Sequence, residues 1–143
     1  MRHMRTKILS TIMVLSVAML LSSCDFETSG NGNFDGYWKM TTVDTLATGG
    51  TLDLTNQSRF WSVEHKILMI NNYMFRFKRA DGILTISEGH KDNLSNTKPG
   101  IDDFTPLHPY GIHSQPEVFN IDHLSKKRMV LSNDTYRLSF KKF

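Results

Sequence analysis

Apolar and polar residues alternate with a period of two through most of the chain after residue 33. In the stretch YMFRFKRADGILTIS, Tyr73, Phe75 and Phe77 share one face, and the residues between them point the other way. The Asp81-Gly82 pair that follows is a strong signal for a type I′ hairpin turn. Because a β-strand alternates its side chains between two faces, this pattern predicts antiparallel strands with one apolar side.

The C-terminal stretch RMVLSNDTYRLSFKKF repeats this arrangement, with Tyr136, Leu138 and Phe140 on one face and a turn at Asn133-Asp134. No stretch shows a sustained helical pattern with caps. Consecutive strands on short turns leave unpaired edges, and closure into a barrel is the usual way to remove them. We therefore predict an all-β fold, a small antiparallel up-and-down β-barrel of about eight strands, with a β-sandwich as the alternative.

The first residues form a separate region. Arg2, Arg5 and Lys7 precede an apolar run over residues 8–21, which is shorter than the roughly 20 residues that a membrane-spanning helix needs. A positive segment followed by a short apolar segment is typical of a signal peptide. The next residues, Leu-Ser-Ser-Cys at 21–24, resemble the lipobox of bacterial lipoproteins.

The lipobox resemblance implies a lipoprotein signal peptide over residues 1–23 and a lipid anchor on Cys24, the single cysteine of the chain. The alternative is an ordinary buried thiol behind an ordinary signal peptide; in either case no disulfide can form within the chain. Several acyl chains give a stable anchor without a membrane span. Residues 24–33, CDFETSGNGN, predict a flexible tether.

Acidic residues directly after the lipidated cysteine, here Asp25 and Glu27, look like the sorting signals of lipoproteins. Their meaning differs between bacterial groups, because they favour inner-membrane retention in enterobacteria and the cell surface in Bacteroidetes. The predicted localisation is therefore the bacterial cell envelope, with the outer membrane favoured. The sequence leaves open whether the protein faces the periplasm or the cell surface, and it leaves the oligomeric state open.

The basic charge of the whole chain comes from the predicted signal peptide. Without Arg2, Arg5 and Lys7, the seventeen basic residues fall to fourteen, which equals the fourteen acidic residues that all lie after Cys24. A nucleic-acid-binding protein shows a surplus or a stripe of Lys and Arg. The only compact basic run of the mature chain is residues 126–128, so no nucleic-acid partner is predicted.

The motif Asn33-Phe34-Asp35-Gly36-Tyr37-Trp38 resembles the Gly-x-Trp signature of lipocalins, and residues 34–143 resemble the lipocalin-like lipoproteins of Bacteroidetes. The resemblance implies that Gly36 lets the chain bend into the barrel. It also implies that Trp38 closes one end beneath a cation from the last strand. Lys142 lies two residues after Phe140, on the same face of the predicted strand, and is therefore the predicted cation. Arg137 is the second candidate.

Lipocalins hold small apolar molecules in the barrel mouth, and this resemblance implies a ligand-binding interior. The inward candidates are Met40, Phe60, Tyr73, Phe75, Phe77, Tyr136, Leu138 and Phe140. These bulky residues either line an aromatic pocket or fill the barrel. Two functions therefore stay open: a lipid-anchored protein that binds a small apolar ligand, or a tethered structural or adaptor module that contacts an envelope protein or a glycan.

Residues 89–116 do not fit the pattern of strands, and loops of this length are usually functional or disordered. As a lid, the segment would bring Phe104, Leu107, Tyr110 and Ile112 to the barrel mouth; otherwise it is a loop that adds at most one irregular strand.

His90, His108, His113 and Asp102 match no standard zinc spacing, so no metal site is predicted. The chain contains no nucleophile elbow, Walker loop or zincin motif, and neither enzymatic activity nor a cofactor is predicted.

Overall fold

The computed structural model describes residues 30–92 and 99–143. The predicted signal peptide, Cys24 and most of the predicted tether lie outside these residues. The described chain forms one sheet of nine strands and two short 3₁₀ helices, which we name the N-terminal 3₁₀ helix and the lid helix. The strands are β1 (Gly36–Thr45), β2 (Gly50–Asp53), β3 (Phe60–Glu64), β4 (Ile67–Ile70), β5 (Tyr73–Ala80), β6 (Ile83–Lys91), β7 (Glu117–Leu124), β8 (Arg128–Ser132) and β9 (Tyr136–Lys142); the N-terminal 3₁₀ helix is Gly32–Phe34 and the lid helix is Thr105–Tyr110.

Eight of the strands close into an antiparallel barrel, because β1 pairs with β9 as well as with β3. The extra strand, β2, pairs with the second half of β1, whereas β3 pairs with its first half. From β3 to β9 each strand is hydrogen-bonded to the next one in the sequence. The predicted up-and-down β-barrel is confirmed, and closure removes the edges that a flat sheet would expose.

The hairpin between β5 and β6 shows why the sequence folds in this way locally. Asp81 has φ 55° and Gly82 has φ 73°. A type I′ turn needs positive φ at both central residues, and its twist matches that of the flanking strands. The Asp-Gly pair therefore sets the register of β5 against β6, in which Ala80 lies opposite Ile83.

The core of the barrel consists of apolar side chains that are each at most 3% exposed, so these side chains border no water-sized cavity. The inward-facing Tyr73, Phe77 and Tyr136 pack against this core and are half-buried. Eight-stranded barrels are just wide enough for their side chains to fill. The buried apolar residues are Phe34, Trp38, Met40, Leu54, Trp61, Val63, Leu68, Ile70, Phe75, Leu84, Ile86, Leu107, Ile112, Phe119, Met129, Leu131, Leu138 and Phe140.

The two ends of the barrel are covered by different segments. At one end, which we call the entry end, the side-chain amide of Asn31 donates a hydrogen bond to the carbonyl of His65. The backbone carbonyl of Asn31 accepts a 2.6 Å hydrogen bond from Arg79 Nη2. Residues 31–33, within the range assigned to the tether, therefore pack against the barrel. At the other end, the lid end, the segment 99–116 crosses the barrel mouth. Within the described residues, no helix is long and apolar enough to cross a membrane.

Candidate functional site

The entry end is closed by the tryptophan and the lysine that the lipocalin resemblance singles out. Lys142 Nζ lies 4.6 Å from the centroid of the Trp38 ring and donates a 2.9 Å hydrogen bond to the carbonyl of Asn33. Trp38 Nε1 donates to the carbonyl of Phe34 at 2.8 Å. Gly36 has φ 129°, and a Cβ there would lie 3.1 Å from Lys142 Cε. The glycine therefore leaves space for the lysine stem to cross the chain.

Two further residues of this closure, Phe34 and Arg79, were not predicted from the sequence. Phe34 is fully buried and contacts Phe77 edge-on, with ring centroids 5.0 Å apart. The guanidinium of Arg79 lies 4.9 Å from the centroid of the Phe34 ring. Arg137, the second candidate for the cation over Trp38, lies instead beside Asp122, with its Nε 3.9 Å from a carboxylate oxygen. The entry end is thus closed by two aromatic rings, each under a cation.

We predict that Lys142→Met lowers the free energy of unfolding by about 1–2 kcal/mol, because it removes both the cation over Trp38 and the hydrogen bond to Asn33. The matched control is Lys141→Met, since Lys141 is exposed and lies on the outer face of the same strand. The control should change stability by less than about 0.5 kcal/mol. Chemical denaturation of both variants measures the difference, and equal losses would contradict the role of the Lys142–Trp38 contact.

The predicted ligand-binding residues separate into three groups. Four are buried in the core, namely Met40, Phe75, Leu138 and Phe140. Three are half-buried and pack against that core, namely Tyr73, Phe77 and Tyr136. The remaining one, Phe60, lies on the outer face of β3. In the described structure, the first four residues belong to the packed core, the next three border it, and Phe60 does not contribute to it.

The inward orientation predicted for Phe60 is wrong, and its neighbour Trp61 is the inward residue. Because Phe60 and Trp61 are adjacent and both aromatic, the apolar pattern alone does not show which of them faces the barrel interior. Ser62 and Val63 resolve it, because the apolar Val63 must share the inner face with Trp61. Phe60 instead stacks on Tyr37, with ring centroids 4.7 Å apart and the ring planes at 14°.

The segment after β6 covers the barrel mouth as a lid and contributes to the core. Leu107 of the lid helix and Ile112 just after it are fully buried, while Phe104 and Tyr110 pack against the core. The lid alternative is therefore the one that the structure shows. Gly111 ends the helix with φ 86°, a conformation that favours glycine.

Polar contacts fix the lid to the barrel wall. Trp61 Nε1 donates to the carbonyl of Tyr110 at 3.2 Å, and Arg59 Nη1 donates to the carbonyl of Pro109 at 2.9 Å. The carboxylate of Glu117, which is 8% exposed, accepts hydrogen bonds from the backbone N–H groups of His113 and Ser114 at 2.9 and 3.3 Å. Removing such a buried acceptor would leave these donors without partners. Glu117 thus orders the chain between the lid and β7.

The histidines of the lid segment stack and do not converge on a common point. The rings of His108 and His113 lie 4.7 Å apart, and that of His113 lies 5.0 Å from Tyr136. His90 instead forms a β-bridge with Gly100. In the described parts of the chain, no three His, Cys, Asp or Glu side chains are placed to hold a metal ion.

Two aspartates stabilise the irregular segments on the outside of the barrel. Hydrogen bonds from Thr105 lower the pKa of Asp103 just before the lid helix, and hydrogen bonds from Thr55 lower the pKa of Asp53 at the end of β2. A carboxylate with a lowered folded pKa stabilises the fold above its unfolded pKa, near 3.8. This contribution is lost as the pH falls through the lower, folded value.

A groove on the outer face, which we call the outer groove, lies where the sheet meets the lid. Its volume is about 390 Å³, and Phe143 stands at its margin, edge-on to both Tyr37 and Phe60. Tyr37 is 46% exposed. The described residues that line it carry aromatic rings, hydroxyls and an amide but no charge. They are Tyr37, Ser58, Phe60, Ser62, Met69, Asn71 and Tyr110.

An eight-stranded antiparallel barrel of this kind belongs to the class of up-and-down β-barrels, which includes the lipocalins. The sequence matches the model of the lipocalin-like domain family over residues 19–143. The chain therefore belongs to the lipocalin-like domain family. Among curated proteins, none matches the sequence.

Solved structures share this fold at low sequence identity. A lipocalin-like protein from Bacteroides uniformis is 14% identical, with a TM-score of 0.59, over 78% of this chain and all of that one. An uncharacterized protein from Bacteroides eggerthii is 15% identical, with a TM-score of 0.53, over 76% of this chain and 98% of that one. At these identities the similarity extends to the fold alone.

Proposed function

We propose that the protein is a lipid-anchored binding module of the bacterial cell envelope and that it holds a neutral saccharide chain in the outer groove. The observation that carries the proposal is the contrast between a barrel core of bulky, buried apolar side chains and an open aromatic groove on the outer wall. The lipobox-like sequence at Cys24 supports the anchoring. The lipocalin-like family supports a binding role.

The chemistry of the outer groove favours a saccharide. Sugar rings present C–H faces that pack on aromatic rings, and their hydroxyls need hydrogen-bond partners. The mutually stacked rings of Tyr37 and Phe60 line the groove, while Ser58, Ser62 and Asn71 offer hydroxyl and amide groups. This combination of apolar surface with a few convergent polar groups is typical of small-ligand sites. Because no lining residue is charged, a neutral ligand fits better than an acidic or basic one.

Docking of a peptide strand is a poorer fit to the same surface. Strand addition needs an exposed sheet edge with free N–H and C=O groups. In the described sheet, β3 and β4 are hydrogen-bonded to neighbours on both sides. A ligand in the outer groove must therefore be recognised through side chains.

A second candidate function, a small apolar ligand in the barrel, is favoured by the lid. Leu107 and Ile112 fill the barrel mouth from a segment that lies outside the sheet. If the lid helix moved away, these two side chains would vacate apolar space. Such a ligand would have to displace the lid, whereas the outer groove is open in the described structure.

The test begins with native mass spectrometry of the protein purified from its host membranes. The measured mass shows whether Cys24 carries lipid and whether a ligand is retained. Binding of neutral glucan, mannan and N-acetylglucosamine oligosaccharides is then measured by calorimetry and by NMR shifts of the groove residues. We expect Tyr37→Ala to weaken binding roughly tenfold or more, because it removes a central stacking surface.

The matched control is Val118→Ala, because Val118 is 45% exposed on the outer face of β7, away from the outer groove. This variant should bind as the parent protein does. If no oligosaccharide shifts the resonances of Tyr37, Phe60 and Tyr110, the saccharide proposal is wrong. A retained apolar adduct would then favour the barrel ligand. An unmodified Cys24 would refute the anchoring alone.

A further inference from the structure

The charges of the barrel are divided between its two ends. Around the N-terminal 3₁₀ helix and the entry-end turns, the acidic residues are Asp35, Glu64 and Asp81. The basic residues there, which we call the basic end, are Lys66, Arg79, Lys126, Lys127, Arg128, Lys141 and Lys142. The lid end has the opposite balance, with three basic residues, Arg59, Lys91 and Arg137, against seven acidic ones. The acidic residues are Asp44, Glu88, Asp92, Asp102, Asp103, Glu117 and Asp134.

The strand register brings cations of the basic end into direct opposition. Lys141 of β9 lies opposite Lys39 of β1 on one side and opposite Arg128 of β8 on the other. Like charges that face each other across strands destabilise a sheet. Neither Lys141 nor Arg128 forms an ion pair with any residue in the described ranges. The arrangement leaves an unneutralised positive surface.

The described chain also begins at this end. Lys142 binds the carbonyl of Asn33, and Asn31 contacts the β3–β4 turn. From Cys24 to Gly30 an extended chain reaches at most about 20 Å. A lipid on Cys24 would therefore keep the basic end near the membrane surface, while the acidic lid end lies on the far side of the barrel.

We propose that the basic end binds the anionic phosphate headgroups of the membrane in which the protein is anchored. The inference rests on the proposed lipid anchor and adds an orientation to it. Basic clusters beside a membrane attachment point are attracted to anionic lipids over about a Debye length. Phe143, 83% exposed beside Lys142, adds an apolar ring that could insert at the boundary between headgroups and acyl chains. This orientation points the lid away from the membrane.

The experiment uses the lipoprotein purified from its host and reconstituted in vesicles of phosphatidylcholine, with or without phosphatidylglycerol. Amine acetylation is followed residue by residue by mass spectrometry. At low ionic strength, we expect Lys126, Lys127 and Lys141 to react roughly fivefold more slowly on the anionic vesicles. Lys91 at the lid end should react equally on both. High salt should abolish the difference, because it screens exposed charges.

A matched pair of variants distinguishes a local effect of the basic end from an effect of the protein's net charge. Lys127→Glu and Lys91→Glu change the charge equally, but only Lys127→Glu should reduce the protection of Lys141. Equal acetylation of Lys141 on the two kinds of vesicle overturns the proposal. The intact mass reports separately whether Cys24 carries lipid. If Cys24 is unmodified, the anchor is refuted, and the acetylation comparison still decides whether the basic end binds headgroups.

Discussion

Replacing Trp61 with alanine should lower the free energy of unfolding by about 3–5 kcal/mol. Trp61 is fully buried and packs against Phe140 and Phe119, with ring centroids 4.9 and 6.2 Å away. Its Nε1 also bonds to the carbonyl of Tyr110 at the end of the lid helix. The substitution would remove core volume and the hydrogen bond between wall and lid. Since domains of this size are stable by about 5–15 kcal/mol, the variant should be close to unfolding.

The adjacent Phe60→Ala substitution is the control for Trp61→Ala. Phe60 is also aromatic and lies in the same strand, but it is half-exposed on the outer face. Its loss should cost about 1 kcal/mol, the value of a surface aromatic contact. Urea denaturation with tryptophan fluorescence and circular dichroism measures both variants. Equal losses, or a larger loss for Phe60→Ala, would contradict the assignment of Trp61 to the interior.

Gly111→Ala should destabilise the protein by about 2–5 kcal/mol, the second largest effect expected. Gly111 has φ 86°, and a left-handed conformation costs an alanine about 1–2 kcal/mol. Its Cβ would also lie 2.5 Å from Leu138 Cδ1. Leu138 is buried in β9, so relief of this overlap should cost a further 1–3 kcal/mol, roughly. The lid would then pack less closely on the barrel mouth.

Gly82→Ala isolates the steric part of the Gly111 effect. Gly82 has a similar φ of 73°, and a Cβ there would meet nothing within 4 Å. This control should therefore show only the cost of the backbone conformation. Thermal denaturation gives the two losses, and hydrogen exchange of residues 105–112 reports on the lid directly. If both variants lose the same stability, the contact between Gly111 and Leu138 does not limit the packing of the lid.

The candidate site was predictable where a residue's role follows from its position in one strand. The lipocalin resemblance implied a cation from the last strand, and the position of Lys142 two residues after Phe140, on the same face, selected it; the structure places its Nζ 4.6 Å from the Trp38 ring centroid. Parity gave the wrong answer for Phe60, because two adjacent aromatic residues satisfy the apolar pattern equally well. No feature of the sequence indicated the role of Glu117. Its burial depends on backbone N–H groups that only the folded lid brings to it.

Local alternation and turn chemistry were enough to predict antiparallel strands and the hairpin turn at Asp81-Gly82. Closure into a barrel, and not a β-sandwich, depends on the pairing of β1 with the distant β9, and the make-up of the core depends on Leu107 and Ile112 of the lid, so only the folded chain settles both. It also decided where charge collects. Lys66, Lys127 and Lys141 are far apart in the chain, and only the strand order brings them to one end of the barrel.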